Sequence, residues 1–203
     1  IVVAAVVGIA AWLWISREPT IKDDAALLGL TREDFPELKA DVFSGMDQGA
    51  DLSPDAIAGR NTWNMWTGGS QAFIEWLATH GYGISDTLRM LDSRNRDTRF
   101  EALGLINEPG FKKAETPDAL GVWLDVPADG SEKGRIDQMI EEEGIDERVY
   151  GRSTGVLGLR LYPNPKFDEE AKKKWDPARY YNQDDDYALS PNLVRPYTVG
   201  MSC

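Results

Sequence analysis

The first fifteen residues are uncharged and mostly apolar, and this run (IVVAAVVGIAAWLWI) constrains the fold more than any other feature. As a helix it would be about 22 Å long at roughly 1.5 Å per residue, against about 30 Å for the hydrocarbon core of a bilayer. The chain has no initiator Met, so we expect further residues before Ile1 to complete the span. Trp12 and Trp14 stand where indole rings favour the headgroup boundary, and Pro19 ends the helix. We therefore predict a transmembrane anchor at residues 1–16.

Two alternatives to an anchor stay open. A signal-peptide h-region has a similar length, but a mature chain would lack it, and no small-x-small cleavage motif follows Ile15. A buried core helix is the other alternative. After the anchor we expect a charged tether at 17–35 and a globular domain at 36–203, incomplete at its C-terminus.

The charge balance bears on partners and on location. The chain has 34 acidic and 22 basic residues and a net charge of -12, which argues against nucleic acid because phosphate binding needs a surplus of Lys and Arg. The charge permits a basic protein partner, although it could serve solubility alone. A large acidic domain after one N-terminal span favours translocation. We expect the bacterial inner membrane, with the domain on the periplasmic side.

The single cysteine, Cys203, and the single histidine, His80, limit metal chemistry. They exclude an internal disulfide framework, a zinc site with several thiolates and a multi-histidine centre within these residues. We predict that His80 caps the end of a helix before Gly81, with ligation as the alternative. Met46, Met65 and Met201 could be soft axial ligands, but we predict packing roles for them. The metal site stays unknown.

Helix signals are clearer than strand signals. Ser53-Pro54-Asp55 predicts a helix start, and Ser70 is expected to cap a second helix that Gly81 ends. Residues 155–162 and 121–126 are the best strand candidates. The predicted class is mainly α with short β-strands and long ordered loops, an irregular α+β arrangement.

Two short motifs are interpreted as turns. Gly151-Arg-Ser-Thr-Gly155 matches the nucleophile-elbow pattern, but strand-like residues follow the serine and His80 precedes it, so we predict a strand-entry turn and no hydrolase. The acidic run at 182–186 resembles a calcium loop without its glycine and its glutamate, so an acidic turn is expected. No residue is predicted to be catalytic.

Residues 59–69 contain the densest chemistry. Trp63 and Trp66 are three apart and would share a helix face, and Gly68-Gly69 permits close backbone approach. The two tryptophans and the glycine pair predict one of two structures. One is an aromatic wedge between two helices, and the other is part of the wall that binds a large flat cofactor.

Several segments together resemble the N-terminal region of a family of exported, membrane-anchored c-type cytochromes of bacteria, over residues 43–203. The segments are Met46-Asp47 with Gly49, Gly59-Arg-Asn-Thr-Trp63 with Trp66-Thr-Gly-Gly69, Leu159-Arg-Leu-Tyr-Pro-Asn-Pro165, Lys174-Trp-Asp-Pro177 and Arg195-Pro-Tyr-Thr-Val-Gly-Met-Ser-Cys203. In that family the last segment runs into a Cys-x-x-Cys-His haem attachment site. The resemblance implies that Cys203 is the first thioether cysteine and that the second cysteine and the histidine follow it. An ordinary cysteine is the alternative.

The expected function is that of a membrane-anchored periplasmic c-type cytochrome, or its N-terminal domain, taking part in electron transfer. Its expected cofactor is haem c, and its expected partners are membrane lipid and either a larger membrane complex or a basic redox protein. A cofactor-free accessory subunit that stabilises a membrane complex is the main alternative. A peroxidase-like or oxygenase-like haem enzyme is a third.

Overall fold

The computed structural model of the protein describes residues 27, 29–34, 37–46, 48–81 and 85–202. The predicted anchor at 1–16, most of the predicted tether and Cys203 lie outside these residues. Among the helices of the described residues, none combines the length and the apolar character needed to cross a bilayer.

Helices lie along the whole described part of the chain. The α-helices are α1 (Pro54–Met65), α2 (Ser70–His80), α3 (Thr87–Met90), α4 (Arg99–Leu103), α5 (Arg135–Glu142), α6 (Glu147–Tyr150), α7 (Glu169–Lys174) and α8 (Pro177–Tyr180). Short 3-10 helices occupy Arg32–Asp34, Ser44–Met46, Ser93–Asn95 and Asp186–Leu189.

The start of α1 follows its sequence signal, and the start of α2 does not. The Ser53 hydroxyl accepts the Ala56 N–H, and Pro54 occupies the first turn of α1. The prediction that Ser70 caps α2 is wrong, because the N-cap is Gly69 in the left-handed region (φ 77°). Glycine adopts that conformation without steric cost. The Ser70 hydroxyl instead bonds the backbone of Met201.

The strands of the described residues form two antiparallel sheets. β1 (Phe111–Lys112) pairs with β2 (Val126–Pro127). The larger sheet has the order β3 (Arg152–Ser153), β4 (Leu159–Pro163) and β5 (Tyr197–Met201), so β4 is central. Leu159 is opposite Met201 and Pro163 is opposite Tyr197, so β4 and β5 pair along their whole length.

The prediction of a mainly α fold is therefore wrong, since the protein is a mixed α and β structure. Its larger apolar core includes Leu159, Leu161 and Val199 of the three-stranded sheet. Strand content was underestimated because β5 contains a glycine and has no alternating pattern. Of the two predicted strands, 155–162 begins only at Leu159, and 121–126 contributes only Val126.

Apolar side chains form two buried clusters. The larger one lies on the three-stranded sheet and consists of Leu88, Leu91, Val122, Val156, Leu159, Leu161, Tyr180, Ala188, Leu193 and Val199. The smaller one consists of Leu38, Val42, Phe43, Met65, Ile140, Ile145, Val149 and Tyr150. Full burial of one such side chain contributes roughly 1.5–3 kcal/mol.

A buried ion pair fixes the segment that leads into β5. Arg195 Nε lies 2.7 Å from Asp86 Oδ2, and both side chains are almost fully buried. The Tyr180 hydroxyl donates to the same carboxylate at 2.9 Å. Burial and the Asp86 charge raise the pKa of Tyr180 well above its ordinary value. The satisfied cluster defines where β5 begins, because an unpaired buried charge would be strongly destabilising.

Candidate functional site

Ser202, the residue before Cys203, is held in place by two segments of the chain. Its hydroxyl donates to the Asn64 carbonyl oxygen at 2.7 Å, with the Gly158 carbonyl oxygen 3.2 Å away. Its N–H donates to the Gly158 carbonyl at 2.9 Å. Cys203 lies outside the described residues, but the peptide that precedes it is fixed against the end of α1.

Close packing at Gly200 brings β5 against the chain between α1 and α2. A Cβ atom at Gly200 would lie 2.6 Å from Thr67 Cγ2, which no real contact allows. The Thr67 hydroxyl lies 3.0 Å from both the Tyr162 hydroxyl and Gln71 Oε1, so this segment is tied to β4 and to α2. Glycine at position 200 therefore permits the close approach of β5 to Thr67.

Large apolar side chains are exposed around this point. Trp63 is 64% exposed and Trp66 is 52% exposed, and Phe73 and Met201 are also exposed. The Ser70 hydroxyl lies 3.0 Å from the Met201 nitrogen and 3.2 Å from its carbonyl oxygen, which joins the start of α2 to the end of β5. Trp63, Trp66 and Phe73 thus belong to segments that hydrogen-bond to Met201 or Ser202, and Met201 is itself the fourth exposed apolar side chain.

Three further exposed apolar side chains lie in or near a segment that backbone hydrogen bonds link to Ser202 through the loop before β4. The Leu157 N–H donates to the Ile106 carbonyl at 2.9 Å, and the neighbouring Gly158 carbonyl accepts from Ser202. Ile106 is exposed, as are Phe100 and Leu103, which are three apart on α4 and share one face of it. We call this surface the Ser202 face; its exposed apolar members are Trp63, Trp66, Phe73, Phe100, Leu103, Ile106 and Met201.

Isolated exposed apolar residues are ordinary on a protein surface, whereas grouped ones are typical of binding sites. The alternative in which Trp63 and Trp66 form a buried wedge is wrong, since both rings are more than half exposed. They also share no helix face, because α1 ends at Met65 and Trp66 follows it. Their predicted role beside a cofactor stays a prediction.

Sequence reasoning missed most of the Ser202 face. Met201, for which the sequence predicts a packing role, is exposed, and so is Phe73. Phe100, Leu103 and Ile106 were not singled out at all. Local sequence carries no signal for this surface, because its members meet only through the pairing of β4 with β5 and the loop before β4.

His80 and Met65 lie where the sequence predicted. His80 is the last residue of α2, its Nδ1 lies 2.9 Å from the Trp76 carbonyl oxygen, and its ring stacks on Trp76 at 4.8 Å between centroids. Met65 is fully buried in the smaller core cluster. His80 is at the far end of α2 from Ser70, about 15 Å away at roughly 1.5 Å per residue. Phe73 also stacks on Trp76, at 6.3 Å between centroids, so a row of three rings runs along α2 from Phe73 to His80.

Ser153 is a strand residue in a network of charges. It lies in β3, where its N–H donates to Asp137 Oδ2 at 2.9 Å and its hydroxyl accepts from Arg160 at 2.9 Å. Arg160 also pairs with Asp137 at 2.9 Å. A nucleophile elbow requires a sharp turn from a strand into a helix. Ser153 lies within β3 and not at a turn from a strand into a helix, so it does not have that geometry.

Glu108 is a buried carboxyl group that the sequence did not indicate. It is 5% exposed, and burial raises its pKa to about 7. Asp137 raises this pKa further, while Arg160, a hydrogen bond with Ser153 and Arg96 lower it. Glu108 can therefore gain or lose a proton near neutral pH, but its burial separates it from solvent.

The acidic run near the C-terminus forms a turn with its own hydrogen bonds and ion pair. Asp185 accepts the Tyr187 N–H and pairs with Arg179 at 2.8 Å, as expected for an acidic turn. Within the part of the chain that the structure describes, no group of three or more His, Cys, Asp or Glu side chains could hold a metal ion.

Comparison with protein-family models, with curated proteins and with solved structures finds no match to this chain. The resemblance to exported c-type cytochromes therefore stays a prediction from the sequence.

Proposed function

We propose that the protein is a periplasmic c-type cytochrome, or its N-terminal domain, that takes part in electron transfer. The observation that supports this proposal most is the Ser202 face. It exposes several large apolar side chains around the residue that precedes Cys203. In the proposal Cys203 forms the first thioether bond to haem, and a second cysteine and a histidine follow it in the chain.

The residues of the Ser202 face fit a flat apolar cofactor. Trp63, Trp66 and Met201 offer aromatic and thioether surface that a macrocycle would remove from water, which is favourable. Covering the cofactor also lowers the polarity around it, and burial is one of the means by which a protein sets a haem potential. Haem c supplies reversible one-electron chemistry when it is bound.

Ser202 acts as a positioning residue in this proposal. Its two hydrogen bonds fix the peptide before Cys203 relative to α1 and to the loop before β4. A thioether bond at a fixed position leaves the cofactor few orientations, so the apolar side chains nearby can be arranged in advance. The chain's own contribution is thus attachment, orientation and exclusion of water.

The proposed location and partners agree with this role. Haem c is attached outside the cytoplasm, so the domain belongs on the periplasmic side of the inner membrane, with the apolar N-terminal segment in contact with lipid. The net charge of -12 suits a basic redox partner. Such an association weakens as salt rises, because the charges involved are exposed.

The test uses the native protein matured in a bacterial periplasm. A haem stain that stays with the polypeptide after denaturation, together with a Soret band, supports the proposal. Cys203→Ser should weaken the covalent stain and shift the absorption bands, because it removes one of the two thioether bonds, whereas Lys173→Ala at an exposed position of α7 should leave both unchanged. Failure to find haem bound to the mature native protein would overturn the proposal.

The extent of the Ser202 face favours one alternative, a cofactor-free accessory subunit of a membrane complex. Phe100, Leu103 and Ile106 widen the surface with the aromatic and apolar residues that are typical of interface cores. In that case the mature protein carries no haem and co-purifies with its complex. Phe100→Ser combined with Leu103→Ser should then release it.

A further inference from the structure

A second concave site lies between the two sheets, away from the Ser202 face. It is a cleft of about 370 Å³, lined by residues that include Phe111 of β1, Val126 of β2 and Arg152 of β3. Its volume lies within the ~300–1,000 Å³ usual for small-molecule sites. We call it the Arg152 cleft.

Arg152 lacks the carboxylate partner that deeply buried arginines of the protein have. Arg99, Arg160 and Arg195 each pair with an aspartate at 3.0 Å or less. No described acidic group forms an ion pair with Arg152, and its buried Nε has no hydrogen-bond partner among the described residues. The guanidinium lies over the Tyr197 ring, 5.7 Å from its centroid, and it interacts with the Tyr197 hydroxyl closely enough to lower the pKa of that group. Its charge is therefore available to a ligand in the cleft.

Three of the four carboxylates in the cleft wall have partners of their own, and Glu132 is the fourth. Asp125 is paired with Arg99 and with Arg96. Asp137 is paired with Arg160. Asp118 accepts the N–H groups of Leu120 and Val122 and the Tyr197 hydroxyl. None of these four carboxylates forms an ion pair with Arg152, and together they produce a negative field that disfavours multiply charged anions.

Much of the remaining wall of the cleft is apolar, and its polar members are Thr116, Glu132, Lys133, Ser153 and Tyr197. Phe111 packs so closely on Gly134 that a Cβ atom there would lie 2.5 Å from the ring. Leu124, Val126 and Leu161 add aliphatic surface. A ligand that suits the whole cleft has one negative charge and an apolar body.

We propose that the Arg152 cleft binds a small monocarboxylic acid with an apolar body, whose carboxylate pairs with the Arg152 guanidinium. A guanidinium and a carboxylate match in shape, because two parallel N–H groups can donate to two oxygens. The apolar body contacts Phe111 and the aliphatic wall. This site is independent of haem and of the Ser202 face.

The test is a titration of the protein with benzoate, followed by NMR shifts of residues 111–127 and 152. One charged pair and a small apolar contact should give a dissociation constant of about 1 mM or tighter. Benzamide has the same shape without the charge, so it should bind at least about tenfold more weakly, a difference of about 1.4 kcal/mol.

Substitutions test whether binding depends on Arg152 itself or only on the overall charge of the protein. Arg152→Gln should abolish benzoate binding, while Arg152→Lys should retain part of it. Arg135→Gln is the matched control, because Arg135 is exposed and does not line the cleft. An unchanged unfolding transition shows that each variant is folded.

Three results would overturn the proposal: benzoate that does not bind, benzamide that binds as well as benzoate, and benzoate that binds Arg152→Gln unchanged. Inorganic phosphate that binds more tightly than benzoate would also overturn it, since the ligand class would then be a multivalent oxyanion.

Discussion

The Ser202 hydroxyl lies 2.7 Å from the Asn64 carbonyl oxygen, although the two residues are 138 positions apart. Asn64 belongs to the last turn of α1, next to Trp63. This single contact places the C-terminal strand beside the tryptophans that the sequence singled out. The distance between Ser202 and Asn64 depends on how closely β5 can approach the chain between α1 and α2.

Gly200→Ala should destabilise the protein, because the new methyl group would meet Thr67 at 2.6 Å. Overpacking of this kind typically costs about 1–3 kcal/mol. The measurement is the free energy of unfolding in urea. Gly59→Ala is the control, since nothing lies within 4 Å of that position in α1, and it should stabilise by roughly 0.5–1 kcal/mol. Combining Gly200→Ala with Thr67→Gly should recover part of the loss, and a double variant as unstable as the sum of the two changes would argue against the contact.

Arg195→Ala should cost about 3–5 kcal/mol, because it leaves the Asp86 charge buried without its partner. The free energy of unfolding measures this loss. Lys173→Ala removes an exposed pair with Glu170 and should cost less than about 1 kcal/mol. Similar losses in the two variants would contradict the role of the buried pair.

Trp66→Ala should change stability by less than about 1 kcal/mol, because the ring is half exposed. The adjacent buried residue provides the contrast, since Met65→Ala should cost about 2–5 kcal/mol. Thermal and urea unfolding of both variants check the difference. A large loss from Trp66→Ala would mean that the ring packs in the core rather than on the Ser202 face.

Glu108 should make stability fall as pH rises through the neutral range. Its folded pKa of about 7 lies above the ordinary 4.5, so the folded state holds the proton more tightly than the unfolded state. The stabilising contribution is complete below about pH 4.5 and is lost as pH rises to about 7, with an upper bound of about 3 kcal/mol.

Unfolding in urea at several values between pH 5 and pH 8 measures this effect. Glu108→Gln should remove the Glu108 contribution to the pH dependence, whereas Glu142→Gln on the exposed end of α5 should leave it. A Glu108→Gln variant with the same pH profile as the unaltered protein would show that Glu108 does not carry it.

Elements with local signals could be predicted from the sequence. The start of α1 at Ser53-Pro54 and the end of α2 before Gly81 follow from capping and from backbone preferences, which act over a few residues. β3 and β5 could not be predicted, because β3 has two residues and β5 is stabilised by β4 and α2 rather than by its own pattern. The prediction that Ser70 caps α2 failed for a similar reason, because the Ser70 hydroxyl bonds Met201, which is 131 positions away in the chain.

The sequence by itself determined the acidic charge, the presence of only one histidine and one cysteine, and the ends of the longer helices, since each depends on residue type or on near neighbours. Only the tertiary structure decided that Trp63 and Trp66 face solvent beside Ser202, and that Arg152 stands without a carboxylate in a cleft. Burial and pairing of a side chain depend on which distant segments pack against it. No short stretch of sequence determines the packing of those distant segments.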